Sequence, residues 1–406
     1  MKIILSWGMG VESTTIFLKW IENKTLRDFD LRSDLIVLTS QTGDEYGDQK
    51  PLVERHILPI MREHGIRYVQ IARAGHLEED GIVVLSDTRE PHELHVDGAY
   101  KLSDELRAAG TVPQFAGEHR CSLKSKVFPA ETWIEGEMGG QDYRHAFGYS
   151  AEERSRVEKS ERAFAEREPW RVAFGFNADE GARVSKAEKY DTPLRRGYYP
   201  LVEWGMNRDD CLRYLKDVTG ETWPRSCCGF CPFVRLNEDA IARMRRFPEQ
   251  ISDALMLEHV SLCLNPRGTL YRDRTLMSVV VGHDHAETLR AFRRRLDAAE
   301  YALYRVRRIY KKAGRADRAV EKLAVGSLGE MNGSFEQMTP RFDLHVEHCI
   351  RYGFIRKREE KKYPTTEEFF VVAPAVVDSK TRYGFPWFES RWRDVLGESS
   401  QADLFV

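Results

Sequence analysis

The sequence predicts an α/β protein, with a parallel sheet flanked by helices over residues 1–235 and a mostly helical region over residues 236–406. In the first part, short apolar runs of strand length alternate with helical stretches, which is typical of a parallel sheet covered by helices. In the second part, apolar residues recur at helical spacing. Strands are expected at residues 2–5, 35–39, 67–73 and 171–176, and helices at residues 240–246, 248–264 and 286–323.

Size and composition describe a folded protein of one large or two ordinary domains. The chain has 406 residues, of which 42% are hydrophobic and 31% are charged, which suffices for a sizeable core and a polar surface. No stretch approaches the roughly 18 apolar residues of a membrane helix, and Glu12 and Lys19 interrupt any secretory apolar region. We therefore expect a cytoplasmic protein without a membrane partner, whose seven cysteines are thiols or metal ligands.

The opening of the chain is its most informative segment. An apolar run at residues 2–5 meets two glycines, and an amphipathic stretch follows them. A strand, a glycine turn and a helix in this order bring backbone N–H groups and a helix N-terminus to a bound anion, so the segment predicts a phosphate loop. A strand–helix turn without a ligand is the alternative. The predicted nucleotide contacts here are Ser6, Trp7, Gly8, Met9, Gly10, Ser13 and Thr14.

Two further polar segments follow predicted strands, at the edge where open α/β sheets bind their ligands. Thr42 and Gly43 follow the second strand and are also assigned to the nucleotide. Gly175, assigned likewise, ends an apolar strand and leads into two carboxylates and an arginine, which are able to bind Mg²⁺, ribose hydroxyls or a phosphate. A helix N-cap is the alternative for this cluster. Its members are Asp179, Glu180 and Arg183.

A cysteine-rich segment carries the second strong signal. Cys227, Cys228 and Cys231 lie within five residues of one another, and thiolates at this spacing bind zinc or an iron–sulfur cluster. Cys121, in another polar loop of the same half of the chain, is the best fourth ligand. Small buried apolar side chains are the alternative interpretation of these cysteines.

Residues 290–322 are dense in arginine and lysine and contain few acids. Tyr301, Tyr304 and Tyr310 are interleaved with the cations. Cations can contact phosphates and aromatic rings can stack on bases, so this stretch is a candidate nucleic-acid surface. A solvated helix whose charged side chains face water is the alternative.

The order of these motifs along the chain resembles that of one superfamily. The motifs are the Gly-x-Gly loop, Thr42-Gly43, Arg120-Cys121-Ser122-Leu123-Lys124, Asn177-Ala178-Asp179-Glu180, the cysteine segment and Met256-Leu257-Glu258. Over about residues 1–275, the chain resembles the phosphoadenosine-phosphosulfate-reductase-like branch of the adenine-nucleotide α-hydrolase (ATP pyrophosphatase) superfamily. The resemblance implies a Rossmann-like sheet that binds ATP and Mg²⁺. It further implies a [4Fe-4S] cluster, or alternatively Zn²⁺, on Cys121, Cys227, Cys228 and Cys231.

The resemblance also implies catalytic roles. Members of the superfamily cleave ATP between its α- and β-phosphates to adenylate an oxygen, or they reduce a sulfonucleotide. By this resemblance, Ser13, Asp179 and Glu180 take part in catalysis. Cations near the α-phosphate would stabilise the charge that develops there. The predicted cations are Arg120, which also binds the nucleotide, Lys124 and Arg183.

The ATP pyrophosphatases of DNA phosphorothioation systems are the members that the chain resembles most. The expected function is therefore to adenylate a nucleic-acid oxygen for sulfur incorporation, with DNA preferred over tRNA and a cysteine desulfurase as the sulfur donor. The alternatives are a tRNA-thiolating or sulfonucleotide-reductase-like enzyme, and a non-catalytic, zinc-stabilised scaffold that binds nucleic acid. The loop departs from the family pattern Ser-Gly-Gly-x-Asp-Ser, because Gly8 replaces its serine and Glu12 its aspartate. No cysteine follows Cys349, which disfavours sulfonucleotide reduction.

Overall fold

A computed structural model describes residues 2–113, 115, 120–138, 143–148, 173–175, 200–312, 315–359 and 362–398. The chain divides into two compact units. Unit 1 consists of Met1–Ser103 and Ala116–Cys231, and unit 2 consists of Asp104–Phe115 and Pro232–Val406. None of the described helices is long and apolar enough to cross a membrane.

Unit 1 contains a six-stranded sheet. Its strands are β1 (Lys2–Ser6), β2 (Leu35–Gln41), β3 (Arg67–Arg73), β4 (Ile82–Thr88), β5 (Tyr143–Gly148) and β6 (Ala173–Gly175). Their order across the sheet is β4-β3-β2-β1-β5-β6, and neighbours run parallel except β3 and β4. The strand order reverses between β1 and β5, because β2 and β3 lie on one side of β1 and β5 and β6 lie on the other. The predicted α/β class is confirmed for this unit.

Helices pack on both faces of this sheet. Leu5 of β1 packs on one face with Phe17, whereas Ile4 packs on the other face with Trp133 and Ile134. The alternation follows from the two-residue period of a strand, which points neighbouring side chains to opposite faces. A π-helical turn, Leu123–Val127, lies between α5 and α6. The helices are α1 (Val11–Glu22), α2 (Gln49–His56), α3 (Leu58–Glu63), α4 (Leu102–Ala109, which continues into unit 2), α5 (Arg120–Ser122), α6 (Phe128–Met138), α7 (Pro200–Glu203) and α8 (Arg208–Thr219).

Unit 2 combines helices with a second six-stranded sheet. Its strands are β7 (Tyr301–Lys312), β8 (Arg315–Gly326), β9 (Asp343–Glu347), β10 (Ile350–Arg356), β11 (Thr365–Pro374) and β12 (Lys380–Thr381). Their order is β12-β8-β7-β11-β10-β9, and every pairing is antiparallel. The helices are α9 (Glu238–Arg246), α10 (Pro248–Leu264), α11 (Leu276–Gly282), α12 (Ala286–Asp297), α13 (Leu328–Met338) and α14 (Phe385–Leu396).

The prediction of a mostly helical region after residue 235 is wrong for its second half. The stretch 286–323, expected to be helical, divides into α12 and the β7–β8 hairpin. Tyr304, Val306 and Ile309 of β7 are aromatic or β-branched and fully buried, which favours a strand. The helical interpretation assigned the arginines between them to a solvated face, whereas cross-strand glutamates neutralise them in the sheet.

Candidate functional site

The first β–α junction is held rigidly against β2. The N–H of Trp7 donates to the carbonyl of Leu38 at 2.8 Å, and the hydroxyl of Thr39 donates to the carbonyl of Trp7 at 2.9 Å. The indole of Trp7 donates to the hydroxyl of Thr14 at 3.0 Å, and both side chains are buried. The side chains of Trp7 and Thr14 were predicted to bind the nucleotide. They are instead buried and hydrogen-bonded to each other, so they stabilise the loop.

Met9 occupies the left-handed region, with φ of 59°, in the middle of this junction. Its carbonyl accepts two hydrogen bonds, from the amide of Gln49 at 3.1 Å and from the indole of Trp223 at 2.9 Å. Two donors from distant parts of unit 1 thus fix an uncommon backbone conformation. Sequence reasoning missed Gln49 and Trp223, because neither belongs to a recognisable motif.

Gly8 leaves open space beside the loop of the junction. A Cβ built on Gly8 would meet no described atom within 4 Å, and Gly8 does not have positive φ. Gly10 is the N-cap residue of α1, and no side chain caps that helix end. The first-turn N–H groups of a helix have no intrahelical acceptor. Open space beside these donors fits a bound phosphate.

Glu12, where the family pattern has aspartate, is engaged by another helix. Its carboxylate is 6% exposed and forms an ion pair with the guanidinium of Arg208 on α8. Ser13, one residue further along, is also buried, and its hydroxyl donates to the carbonyl of Gly10 at 3.4 Å. The departure from the family loop therefore coincides with an ion pair that fastens α1 to α8.

The second predicted loop meets the cysteine segment directly. The hydroxyl of Thr42 lies 3.5 Å from the thiol sulfur of Cys228. Gly43 has φ of 79°, which explains its identity by backbone conformation alone. The N–H of Tyr46 donates to the backbone carbonyl of Cys227 at 3.3 Å. The N–H of Gly229 donates to the backbone carbonyl of Asp44 at 3.2 Å. The cysteine segment is thus hydrogen-bonded to the chain that leaves β2.

Glu45 joins three parts of the site. One carboxylate oxygen accepts from the hydroxyl of Ser226 at 2.7 Å, and the other accepts from the ammonium of Lys126 at 2.6 Å. The Glu45 side chain is only 7% exposed. A Cβ placed on Gly10 would lie 4.0 Å from Cβ of Ser226. The phosphate loop and the cysteine segment are therefore neighbours in space.

The sequence had not assigned Glu45, Lys126 or Ser226 to the site. Each lies within three residues of a residue that was assigned, namely Gly43, Lys124 or Cys228. Lys126 belongs to the π-helical turn, and such turns occur frequently at functional sites. Local spacing did not distinguish Lys126 from Lys124.

The thiol of Cys228 is in an unusual electrostatic setting. Burial, together with the nearby carboxylate of Glu45, raises the pKa of Cys228 well above its ordinary value, while the ammonium of Lys126 acts in the opposite direction. Buried thiols surrounded in this way remain protonated at neutral pH. The raised pKa favours the protonated form of the Cys228 thiol.

All seven cysteines lie in the described residues, and none of them forms a disulfide. Cys227 is buried, whereas Cys121, Cys228 and Cys231 are half-buried. The N–H of Cys231 donates to the carbonyl of Cys228 at 3.1 Å. Within the described ranges, no group of three or more cysteine, histidine or acidic side chains is placed to share a metal ion. Zinc or a cluster on these cysteines therefore stays a prediction.

Several predicted residues have no described side-chain position. Asp179, Glu180 and Arg183 lie outside the described residues, and Gly175 is described only as part of the β6 backbone, paired with Gly148. Three other predicted residues have a described side chain: Ser6 is half-buried at the end of β1, Arg120 is exposed, and Lys124 is half-buried.

Two arginines in the strand part of the basic stretch 290–322 are buried in unit 2. Arg307 is 2% exposed, and its guanidinium bonds to the carboxylates of Glu321, at 2.8 Å, and Glu389. Arg308 is 4% exposed and forms an ion pair with Glu367 at 2.5 Å. Arg307 and Arg308 neutralise acids inside unit 2 and are therefore not available to a nucleic acid, while the interpretation of the wider stretch as a nucleic-acid surface stays a prediction.

Comparison with known proteins identifies no relative of this chain. No protein-family model matches it, and neither does any curated protein or solved structure. The arguments for function therefore come from the residues and their geometry.

Proposed function

We propose that this chain is an adenine-nucleotide-binding enzyme of the ATP pyrophosphatase type, which adenylates a nucleic-acid oxygen so that sulfur replaces it, as in DNA phosphorothioation. One observation carries the proposal. The loop at the first β–α junction and the cysteine segment lie side by side, with Ser226 close to Gly10 and bonded to Glu45. Phosphate binding and thiol chemistry therefore have one shared site.

The strand order supports a nucleotide at this position. In open parallel sheets, a ligand binds outside the carboxyl ends of the strands, at the point where their order reverses. The reversal in unit 1 lies between β1 and β5, and the loop directly follows β1. We therefore propose a Rossmann-like unit in which the backbone around Gly8 and the uncapped start of α1 bind the β- and γ-phosphates of ATP.

The proposed reaction breaks the bond between the α- and β-phosphates. An acceptor oxygen attacks the α-phosphorus, pyrophosphate leaves, and the acceptor oxygen becomes esterified to AMP. Sulfide, which a thiol reductant releases from the persulfide of the donor with formation of a disulfide, then displaces AMP, so the acceptor exchanges one oxygen for sulfur. Donors of the loop and α1 stabilise the charge that develops on the leaving phosphates. Lys126, held in place by Glu45, supplies a positive charge beside the thiols.

The remaining assignments follow the resemblance. Asp179 and Glu180 are the proposed ligands of Mg²⁺, and Arg183 is a proposed phosphate contact, although all three lie outside the described residues. A cysteine desulfurase is the proposed sulfur donor. Seven thiols and no disulfide fit a reducing compartment, so we place the protein in the cytoplasm.

Metal content separates the alternatives for the cysteines. Iron with acid-labile sulfide in anaerobically purified protein would support the cluster predicted on Cys121, Cys227, Cys228 and Cys231. Stoichiometric zinc without pyrophosphate release would instead support the non-catalytic scaffold. Protein that contains neither metal would remove both metal assignments.

Replacing Gly8 with alanine is expected to weaken ATP binding at least about tenfold while leaving the melting temperature unchanged. The added methyl group meets no described protein atom, so the fold has room for it. It would occupy the space through which phosphate approaches the backbone. Isothermal titration calorimetry with ATP measures the affinity, and release of pyrophosphate from ATP measures the reaction.

Gly136→Ala in α6 is the matched control, because a Cβ on this exposed glycine also meets no described atom. It should bind ATP like the wild type and be equally or slightly more stable. If Gly8→Ala and the wild type had equal ATP affinity, the loop would not be part of the ATP site. Absence of ATP affinity in the wild type would end the proposal. If a Ser13→Ala, Asp179→Ala variant released as much pyrophosphate as the wild type, the assigned catalytic residues would be wrong.

A further inference from the structure

Two short helices of unit 2 are joined by a tight turn. α11 ends at Gly282, α12 begins at Ala286, and only His283–His285 separate them. Asp284 in this turn has φ of 52°, and the N–H of His285 donates to the carbonyl of Val280 at 3.1 Å. A three-residue connection between two helices has the length found in a helix-turn-helix element.

α12 has one buried face and one exposed face. Thr288, Ala291 and Phe292 are buried, and the ring of Phe292 lies 5.9 Å from that of His259 on α10. The opposite face is solvent-exposed and includes three arginines. Its members are Glu287, Arg290, Arg293, Arg294 and Asp297. This face is the one that a helix-turn-helix element presents to a nucleic acid.

The arginines of this face differ from the buried arginines of β7. The side chains of Arg290 and Arg294 are both 65% exposed, and each has an exposed acidic neighbour, Glu287 at 3.9 Å and Glu249 at 2.7 Å. Exposed ion pairs of this kind contribute little free energy, so a phosphate can replace the acid at small cost. Arg293 is also exposed. The face therefore offers three cations to an anionic partner.

The start of α12 offers a second contact for an anion. No side chain caps this end of the helix. His285, the N-cap residue, is 3% exposed, and neither of its ring nitrogens has a hydrogen-bond partner in the described part of the chain. The guanidinium of Arg245 on α9 donates to the carbonyl of His283 at 2.6 Å, which fixes the turn. Helix N-termini are frequent phosphate contacts in protein–DNA complexes.

We infer that α11, the turn and α12 form a binding surface for double-stranded DNA, with α12 in the major groove and its three arginines on phosphates or base edges. B-form DNA admits a helix into its major groove, whereas the major groove of an RNA duplex is too deep and narrow. The inference names the acceptor class of the proposed function. It uses residues of unit 2 only, so it and the nucleotide site of unit 1 can fail independently.

Fluorescence anisotropy of the full-length protein tests the surface. The probe is a labelled DNA duplex of about 20 base pairs, or two helical turns, and the competitors are its single strand and an RNA duplex of the same sequence. The test variant is Arg290→Gln, Arg293→Gln, Arg294→Gln. Its matched control, with the same change in charge, is Arg382→Gln, Arg391→Gln, Arg393→Gln, which replaces three exposed arginines near and on α14.

The test variant is expected to bind the duplex at least about tenfold more weakly. The slope of log K against log salt concentration should fall in magnitude by up to about 2.7, since each arginine that contacts a phosphate contributes about 0.9. The control should stay close to wild type, and all three proteins should melt alike. Equal losses in both variants, or RNA binding as tight as DNA binding, would overturn the inference. ATP affinity, measured by calorimetry without DNA, should be the same in the test variant and the wild type. If the wild type binds duplex through α12 but releases no pyrophosphate, only the proposed function fails.

Discussion

Replacing Glu258 with alanine is expected to destabilise unit 2 by about 3 to 5 kcal/mol. This carboxylate is 1% exposed and accepts hydrogen bonds from the N–H groups of Leu270 at 2.8 Å, Leu276 at 2.8 Å and Met277 at 3.2 Å. Each buried N–H left without an acceptor costs about 1 to 3 kcal/mol, and entry of water recovers part of the sum. Urea unfolding followed by circular dichroism measures the loss.

Glu249→Ala is the control for this prediction, because Glu249 lies on the same helix but its side chain is 63% exposed. It should change the free energy of unfolding by no more than about 1 kcal/mol. If both variants lost a similar amount of unfolding free energy, the hydrogen bonds that the Glu258 carboxylate accepts would not be what stabilises the segment 270–277.

The effect of Glu258 should also depend on pH. Burial raises the pKa of Glu258 above its ordinary value of 4.5, although the three backbone N–H groups act in the opposite direction. The folded protein therefore holds this proton more tightly than the unfolded chain does. The corresponding stability is fully present below about pH 4.5 and is lost as pH rises through the raised pKa. Between about pH 4 and about pH 7, the wild type should therefore lose more unfolding free energy than Glu258→Gln does. If the wild type instead gained stability relative to Glu258→Gln, the pKa of Glu258 would not be raised in the folded protein.

Replacing Arg208 with leucine is expected to cost about 3 kcal/mol of unfolding free energy in unit 1. The variant leaves the carboxylate of Glu12, whose side chain is 7% exposed, without its partner. Breaking a buried ion pair costs about 3 to 5 kcal/mol, and the low end applies because the Arg208 side chain is 32% exposed to water. Chemical unfolding of the two single variants and the double variant gives the coupling energy.

The double variant Glu12→Gln, Arg208→Leu is the decisive control, since it removes both charges. It should recover most of the lost stability and bind ATP with nearly the affinity of the wild type. That result would mean that Glu12 fastens α1 to α8 and is not itself a nucleotide contact. Failure of the double variant to recover, or a large loss of ATP affinity in Glu12→Gln alone, would assign the carboxylate to the nucleotide site.

Four of the six strands of unit 1 were predicted from local pattern, whereas β4 and β5 were not among the expected strands. The expected strands at residues 2–5, 35–39 and 67–73 correspond to β1, β2 and β3. Strands of a parallel sheet are buried on both faces, so each is a continuous apolar run that stands out from the helices around it. The sheet of unit 2 was not readable in this way. Its β7 strand mixes arginines with aromatic residues. This pattern also fits an exposed basic helix, and only the glutamates of the neighbouring strands show that the arginines are buried in a sheet.

The sequence alone determined which chemical groups each segment carries. A glycine turn between strand and helix presents backbone N–H groups, and three cysteines within five residues present clustered thiols, whatever the rest of the chain packs against them. The tertiary structure decided which segments meet. Glu45 and Ser226 are 181 residues apart in sequence and yet share a hydrogen bond, and Trp223 reaches the carbonyl of Met9 over 214 residues. It also decided which cations remain available to a partner, since Arg307 and Arg308 are buried in the sheet of unit 2 whereas Arg290 is exposed on α12. Side chains from distant segments meet through packing of the whole chain, and the spacing of residues within one segment does not report such contacts.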